Sequence, residues 1–128
     1  MTKRILILDD DRDFARVVAQ RCQEMGLIAD IADCSSDATL QVNLAAPDLV
    51  CVDVDPDAND SLTFCEYLAW NPETRELPLL VLTEEQNIEG IRRCCSVEAK
   101  FISKSGDCWE SLQTEIASML GVGEAVVL

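Results

Sequence analysis

Leu49-Val50-Cys51-Val52-Asp53-Val54 is a continuous apolar run broken by a single carboxylate. Three of its six residues are valine, which favours an extended strand. Apolar side chains at successive positions predict a strand buried on both faces. Strands of that kind belong to parallel sheets with helices packed on each side.

The flanking sequence repeats this logic. Upstream, Ile5–Leu8 is a second buried run that ends in Asp9-Asp10-Asp11, and Leu27–Ala32 reads as a further strand. Between them, Phe14, Val17, Val18, Arg21, Cys22 and Met25 recur at helical spacing over Asp11–Met25, and Gly26 stands where a helix would end. Ser35 or Ser36 can cap a second helix running to about Ala46, with Leu40 and Leu44 on one face and Pro47 as its stop. Downstream, Leu62–Trp70 reads as a helix stopped by Asn71-Pro72, Leu79–Thr83 as a fourth strand and Ile88–Cys95 as a weaker helix. Ala99–Ser103 and Asp107–Leu120 form the last strand and helix. Five β–α pairs with right-handed crossovers predict a doubly wound α/β domain with a five-stranded parallel sheet.

The chain has 128 residues, 48% of them apolar, enough for one packed core. Ten Lys and Arg face 24 Asp and Glu, giving a formal net charge of −14. Such a surface repels polyanions, so direct nucleic-acid binding is not expected. No apolar run approaches membrane-span length, and no signal peptide is expected because the first apolar run is only Ile5–Leu8. Seven cysteines form no Cys-x-x-Cys pair and there is no histidine, which removes the usual ligand sets of structural zinc. Reduced, mostly buried cysteines in a cytoplasmic protein are the simplest reading. Without histidine the chain has neither a histidine general base nor a phosphohistidine.

Open parallel sheets place ligands at the carboxyl ends of their strands. The polar residues there are Asp9-Asp10-Asp11 after strand one, Asp53 after strand three, Thr83 after strand four and Lys104 after strand five. Clustered carboxylates with a hydroxyl and an amine suit a hard cation together with an anion.

These residues, in this order, resemble the response-regulator receiver domain over roughly residues 3–120, leaving residues 121–128 as a tail or the start of a linker. Ile5-Leu6-Ile7-Leu8-Asp9-Asp10-Asp11 is similar to the family's first strand and acidic pair. Pro47–Asp53 is similar to the approach to its phosphoacceptor aspartate. Asp60 lies seven residues after Asp53, Thr83 thirty residues after it, and Lys104 follows Phe101-Ile102-Ser103, all at family spacing. The resemblance implies a flavodoxin-like sheet in the order 2-1-3-4-5 and phosphorylation on Asp53 by a sensor histidine kinase or phosphotransfer protein. It implies Mg²⁺ or Mn²⁺ held by Asp10, Asp53 and the Asp55 backbone carbonyl with Asp9 in support, and phosphoryl contacts from Lys104 and Thr83. Phe101 would then move with Thr83 and alter the face of helix four, strand five and helix five. That face would serve a downstream effector and could also form a homodimer. Such a protein is a phosphoacceptor that assists its own phosphorylation and dephosphorylation rather than an enzyme.

Five positions depart from the family pattern. Ser105 replaces the proline whose peptide bond is cis in the family, and Asp57 replaces another proline, with Pro56 one place early. Ser61 stands for a glycine, Asp55 for an apolar or amide residue, and Glu84 for a small residue at the mouth of the site, where it could act as a gatekeeper. These changes bear on phosphorylation rate and lifetime, so a receiver-like interaction module that is never phosphorylated is the main alternative. Asp53 and Asp55 also resemble the paired aspartates of haloacid-dehalogenase phosphatases, but the acidic pair of that class comes last in the chain, whereas Asp9 and Asp10 come first. A calcium loop beginning at Asp53 fails because its sixth and twelfth places hold Ala58 and Phe64.

Overall fold

In the computed structural model, five strands alternate with five helices: β1 Arg4–Leu8, α1 Arg12–Glu24, β2 Ile28–Ala32, α2 Ser35–Leu44, β3 Leu49–Asp53, α3 Asp60–Trp70, β4 Leu79–Thr83, α4 Ile88–Cys94, β5 Lys100–Ser103 and α5 Trp109–Leu120. A 3₁₀ turn, Glu85–Asn87, leads into α4. The structure describes residues 2–55, 57, 60–94, 99–104, 106 and 108–123, without the side chains of 93 and 94. All strands are parallel, in the order β2-β1-β3-β4-β5. The expected sheet order is therefore the observed one.

Alternation along each strand builds two cores. Ile5, Ile7, Cys51, Leu80, Leu82 and Ile102 pack on one face with α1 and α5, through Val18, Cys22, Leu112 and Ile116. Leu6, Leu8, Val50, Val52 and Val81 pack on the other with α2, α3 and α4, through Ala38, Val42, Phe64, Leu68 and Ile91. Gly26, at φ 86°, lets the chain turn from the end of α1 into β2.

Two helix faces differ from the sequence reading. In α2 the buried residues are Ala38 and Val42, while Leu40 and Leu44 are 55% and 76% exposed. Small residues seat the helix on the sheet and turn the leucines outward. In α1, Ala15, Val18, Ala19 and Cys22 are buried and Val17 is half-exposed. The cap of α2 also differs: Cys34 holds the N-cap position without a side-chain bond, and Ser35 instead bonds Asp60.

Register places the site. Leu8 pairs with Val52, Asp53 with Leu82 and Thr83 with Ser103. Asp9, Asp53, Thr83 and Lys104 therefore emerge at one edge of the sheet.

Candidate functional site

Asp9 follows the last residue of β1 and is 2% exposed. Its backbone N–H donates to the Ala32 carbonyl at 3.1 Å, which fixes it against β2. One carboxylate oxygen accepts the Asp11 N–H at 2.9 Å and the other accepts the Lys104 ammonium at 3.2 Å. Lys104 also lies 3.1 Å from Asp53 Oδ1. Its backbone N–H donates to the Thr83 carbonyl at 2.8 Å, tying the end of β5 to the end of β4.

Asp10 completes the acidic set. One carboxylate oxygen each from Asp9, Asp10 and Asp53 fall within 4.8 Å of one another, the single such grouping among the described residues. An all-oxygen donor set with net negative charge fits a hard divalent cation such as Mg²⁺. Close by in sequence register, the Thr83 hydroxyl is buried and has no hydrogen-bond partner. A buried hydroxyl without a partner costs free energy that an incoming acceptor would offset. The residues present thus suit a cation and an anion together.

Burial shapes the electrostatics. Loss of solvent pushes the Asp9 carboxyl up to about 6, with Asp53 adding repulsion and the Asp11 N–H and Lys104 pulling back. Asp53 is raised for the same leading reason; Lys104 opposes the rise, and Asp10 and Asp55 add to it. Burial acts against the charge on Lys104, but Asp9 and Asp53 outweigh it and hold its pKa above the ordinary lysine value. The lysine stays charged, and the carboxylates are crowded into accepting it.

The remaining predicted residues have definite places. Asp55 is exposed just beyond β3, and its Oδ1 accepts the Asp57 N–H at 2.9 Å, so this carboxylate folds back onto its own loop. Phe101, partly buried on β5, packs against the α2–α3–α4 core, and the Arg92 guanidinium lies 5.0 Å from its ring centroid. Glu84 is exposed immediately after Thr83 and makes no capping bond to the 3₁₀ turn. Asp60 accepts both the Ser35 N–H and the Ser35 hydroxyl, at 2.8 and 2.6 Å, and so joins the starts of α2 and α3. Ser105 and its predicted effect on the preceding peptide bond lie outside the described residues.

Two contacts at the site go beyond the sequence reading. Asp11 caps α1, accepting the Phe14 N–H at 3.2 Å while donating its own N–H to Asp9. Phe14 presents its ring to Lys104, with Nζ 4.2 Å from the ring centroid. The acid-rich start of α1 signals the cap; nothing local in sequence signals the ring contact.

The response regulator receiver domain family matches residues 5–114. No curated protein sequence matches the chain. Among solved structures, the signal receiver domain of a signal transduction histidine kinase from Syntrophus aciditrophicus is 26% identical, with TM-score 0.79, covering 99% of this chain and 98% of that one. The chemotaxis response regulator CheY4 of Vibrio cholerae superimposes with TM-score 0.80 at 18% identity over 93% of this chain and 99% of its own. The response regulator TrrA from Thermotoga maritima, solved in complex with Mg²⁺ and BeF, gives TM-score 0.77 at 18% identity over 92% and 99% of the two chains. The chain belongs to the response regulator receiver domain family.

Proposed function

We propose that this receiver domain is a phosphoacceptor switch. Asp53 is the nucleophile: a carboxylate oxygen forms the new bond to phosphorus while the bond to the donor breaks, leaving an acyl phosphate. The donor is a sensor histidine kinase or phosphotransfer protein, whose imidazole nitrogen departs and takes up a proton. Asp10, Asp53 and the Asp55 backbone carbonyl would hold Mg²⁺ or Mn²⁺, with Asp9 orienting the set. When bound, the cation offsets negative charge on the phosphoryl oxygens.

Lys104 supplies a second fixed positive charge, already 3.1 Å from Asp53 Oδ1. The Thr83 hydroxyl, buried and unpartnered, would donate to a phosphoryl oxygen. That donation draws Thr83 toward Asp53 and lets Phe101 follow, reshaping the α4–β5–α5 face for a downstream effector or a second copy. Turnover of an external substrate is no part of this role, so the protein is not an enzyme in the usual sense, and a cytoplasmic setting suits such a switch. The observation that carries the reading is the convergence of one lysine on a buried and a partly buried carboxylate beside an orphaned hydroxyl.

Titration with beryllofluoride in excess Mg²⁺, followed by NMR, tests it. Saturable shifts at Thr83 and Phe101 that vanish in Asp53→Asn support the switch. No binding to the wild type would favour an interaction module that is never phosphorylated.

A further inference from the structure

We infer that Phe14 is a positioning residue for Lys104, holding the ammonium at the phosphoacceptor site while its carboxylate contacts change. The inference rests on the phosphoacceptor reading and adds a residue to it.

Lysine is a point charge on a flexible stem, so its place must be fixed by its surroundings. In this chain Ser105 follows Lys104 where the family has proline, so that neighbour cannot supply a ring-fixed backbone. Three groups surround Nζ instead: Asp9 Oδ2 at 3.2 Å, Asp53 Oδ1 at 3.1 Å and the face of Phe14 at 4.2 Å from its centroid. The lysine side chain is 18% exposed, so the ring acts where water screens little.

The two kinds of contact differ in what a phosphoryl group does to them. Once Asp53 is modified, its oxygen no longer offers the same charge, and Lys104 must trade that contact for a phosphoryl oxygen. The ring attracts the cation through its quadrupole and occupies no N–H donor. It is indifferent to the trade and available in both states.

Phe14 is itself well anchored. Its N–H donates to Asp11 Oδ1 at 3.2 Å, and its ring packs against the α1–α5 core. Asp11 in turn donates to Asp9, the carboxylate that holds the other side of Lys104. One short chain of contacts thus ties the ring, the cap and the buried acid into a frame around the ammonium.

The test compares wild type, Phe14→Tyr and Phe14→Leu, using small reagents so that kinase docking does not enter. Three quantities are read: beryllofluoride affinity in saturating Mg²⁺, Mg²⁺ affinity without fluoride, and the limiting rate of phosphorylation by a small phosphodonor. Loss of a sequestered cation–π contact corresponds to about a five- to tenfold change. Phe14→Leu is expected to weaken beryllofluoride binding and lower that rate by the same factor, with Mg²⁺ affinity held within about twofold. Phe14→Tyr, which keeps the ring face, is expected to stay near wild type. Equal affinities for wild type and Phe14→Leu would overturn the inference, as would a Mg²⁺ affinity that falls in the same proportion or a Phe14→Tyr defect as large as that of Phe14→Leu. Failure of the wild type to bind beryllofluoride at all would instead overturn the phosphoacceptor reading, and the inference with it.

Discussion

Asp9→Asn should stabilise the metal-free protein at alkaline pH. Asp9 is buried, and its pKa moves from the ordinary 3.8 to about 6, mainly through loss of solvent. Below pH 3.8 the carboxyl is neutral in both the folded and the unfolded chain. Between 3.8 and 6 the folded state holds a proton that the unfolded state has released, so stability falls as pH rises. Above 6 the full penalty for an ionised, buried carboxylate is present, on the order of 3 kcal/mol. That figure already includes the help from Lys104 and the Asp11 N–H. Asparagine keeps the shape and an acceptor for Asp11 but carries no charge, and Lys104 retains Asp53. We expect a gain of about 2 kcal/mol at pH 8, seen as a Tm higher by about 4–10 °C. Urea unfolding of both proteins in EDTA, at pH 8 and again near pH 4, reads the effect together with the response of its coupled neighbours Asp53 and Lys104. The gain should shrink to nearly nothing at the lower pH. Saturating Mg²⁺ should also narrow it at pH 8, since a ligand at a hundred times its Kd stabilises the wild type by about 2.7 kcal/mol. An asparagine variant that is less stable at pH 8, or equally favoured at both pH values, would refute the reasoning.

Thr83→Val removes the orphaned hydroxyl at constant shape, so the apo protein should gain about 1 kcal/mol in urea while its beryllofluoride affinity drops several-fold. A clear loss of apo stability would mean the hydroxyl is satisfied in solution. Glu84→Ala should speed phosphorylation by an anionic small donor about fivefold at low salt and less at high salt, because an exposed like charge beside the site is worth about 1 kcal/mol once solvent exposure has weakened it. Glu84→Gln should recover part of that gain; rates independent of both changes and of salt would show that the side chain points away. In α2, Val42→Ala should cost about 1–3 kcal/mol while Leu44→Gln stays within about 0.5 kcal/mol, and the reverse ranking in thermal unfolding would restore the leucine face as the buried one.

The central strands β1, β3 and β4 were legible because each is buried on both faces. Runs such as Ile5–Leu8 and Leu79–Thr83 have no other economical placement, and the acids and hydroxyl at their ends fall on one edge once the sheet is parallel. The helix faces were less legible. Leu40 and Leu44 have helical spacing, but spacing does not say which face meets the sheet, and close approach selected Ala38 and Val42. The site was legible as a set of residue types. Its wiring was not, because Lys104 meets Phe14 across ninety residues of chain and Asp60 turns to Ser35 rather than toward the acids. Such contacts depend on helix placement to within an ångström or two, which local propensity does not encode.

Phosphorylation of Asp53 is tested most directly by incubating wild type and Asp53→Asn with a small phosphodonor and Mg²⁺, then locating the label by peptide mapping with and without hydroxylamine. We expect a single hydroxylamine-labile phosphoryl group on the peptide containing Asp53, absent from Asp53→Asn and from wild type in EDTA. Equal labelling of Asp53→Asn, or a wild type that takes no label under any Mg²⁺ concentration, would contradict it.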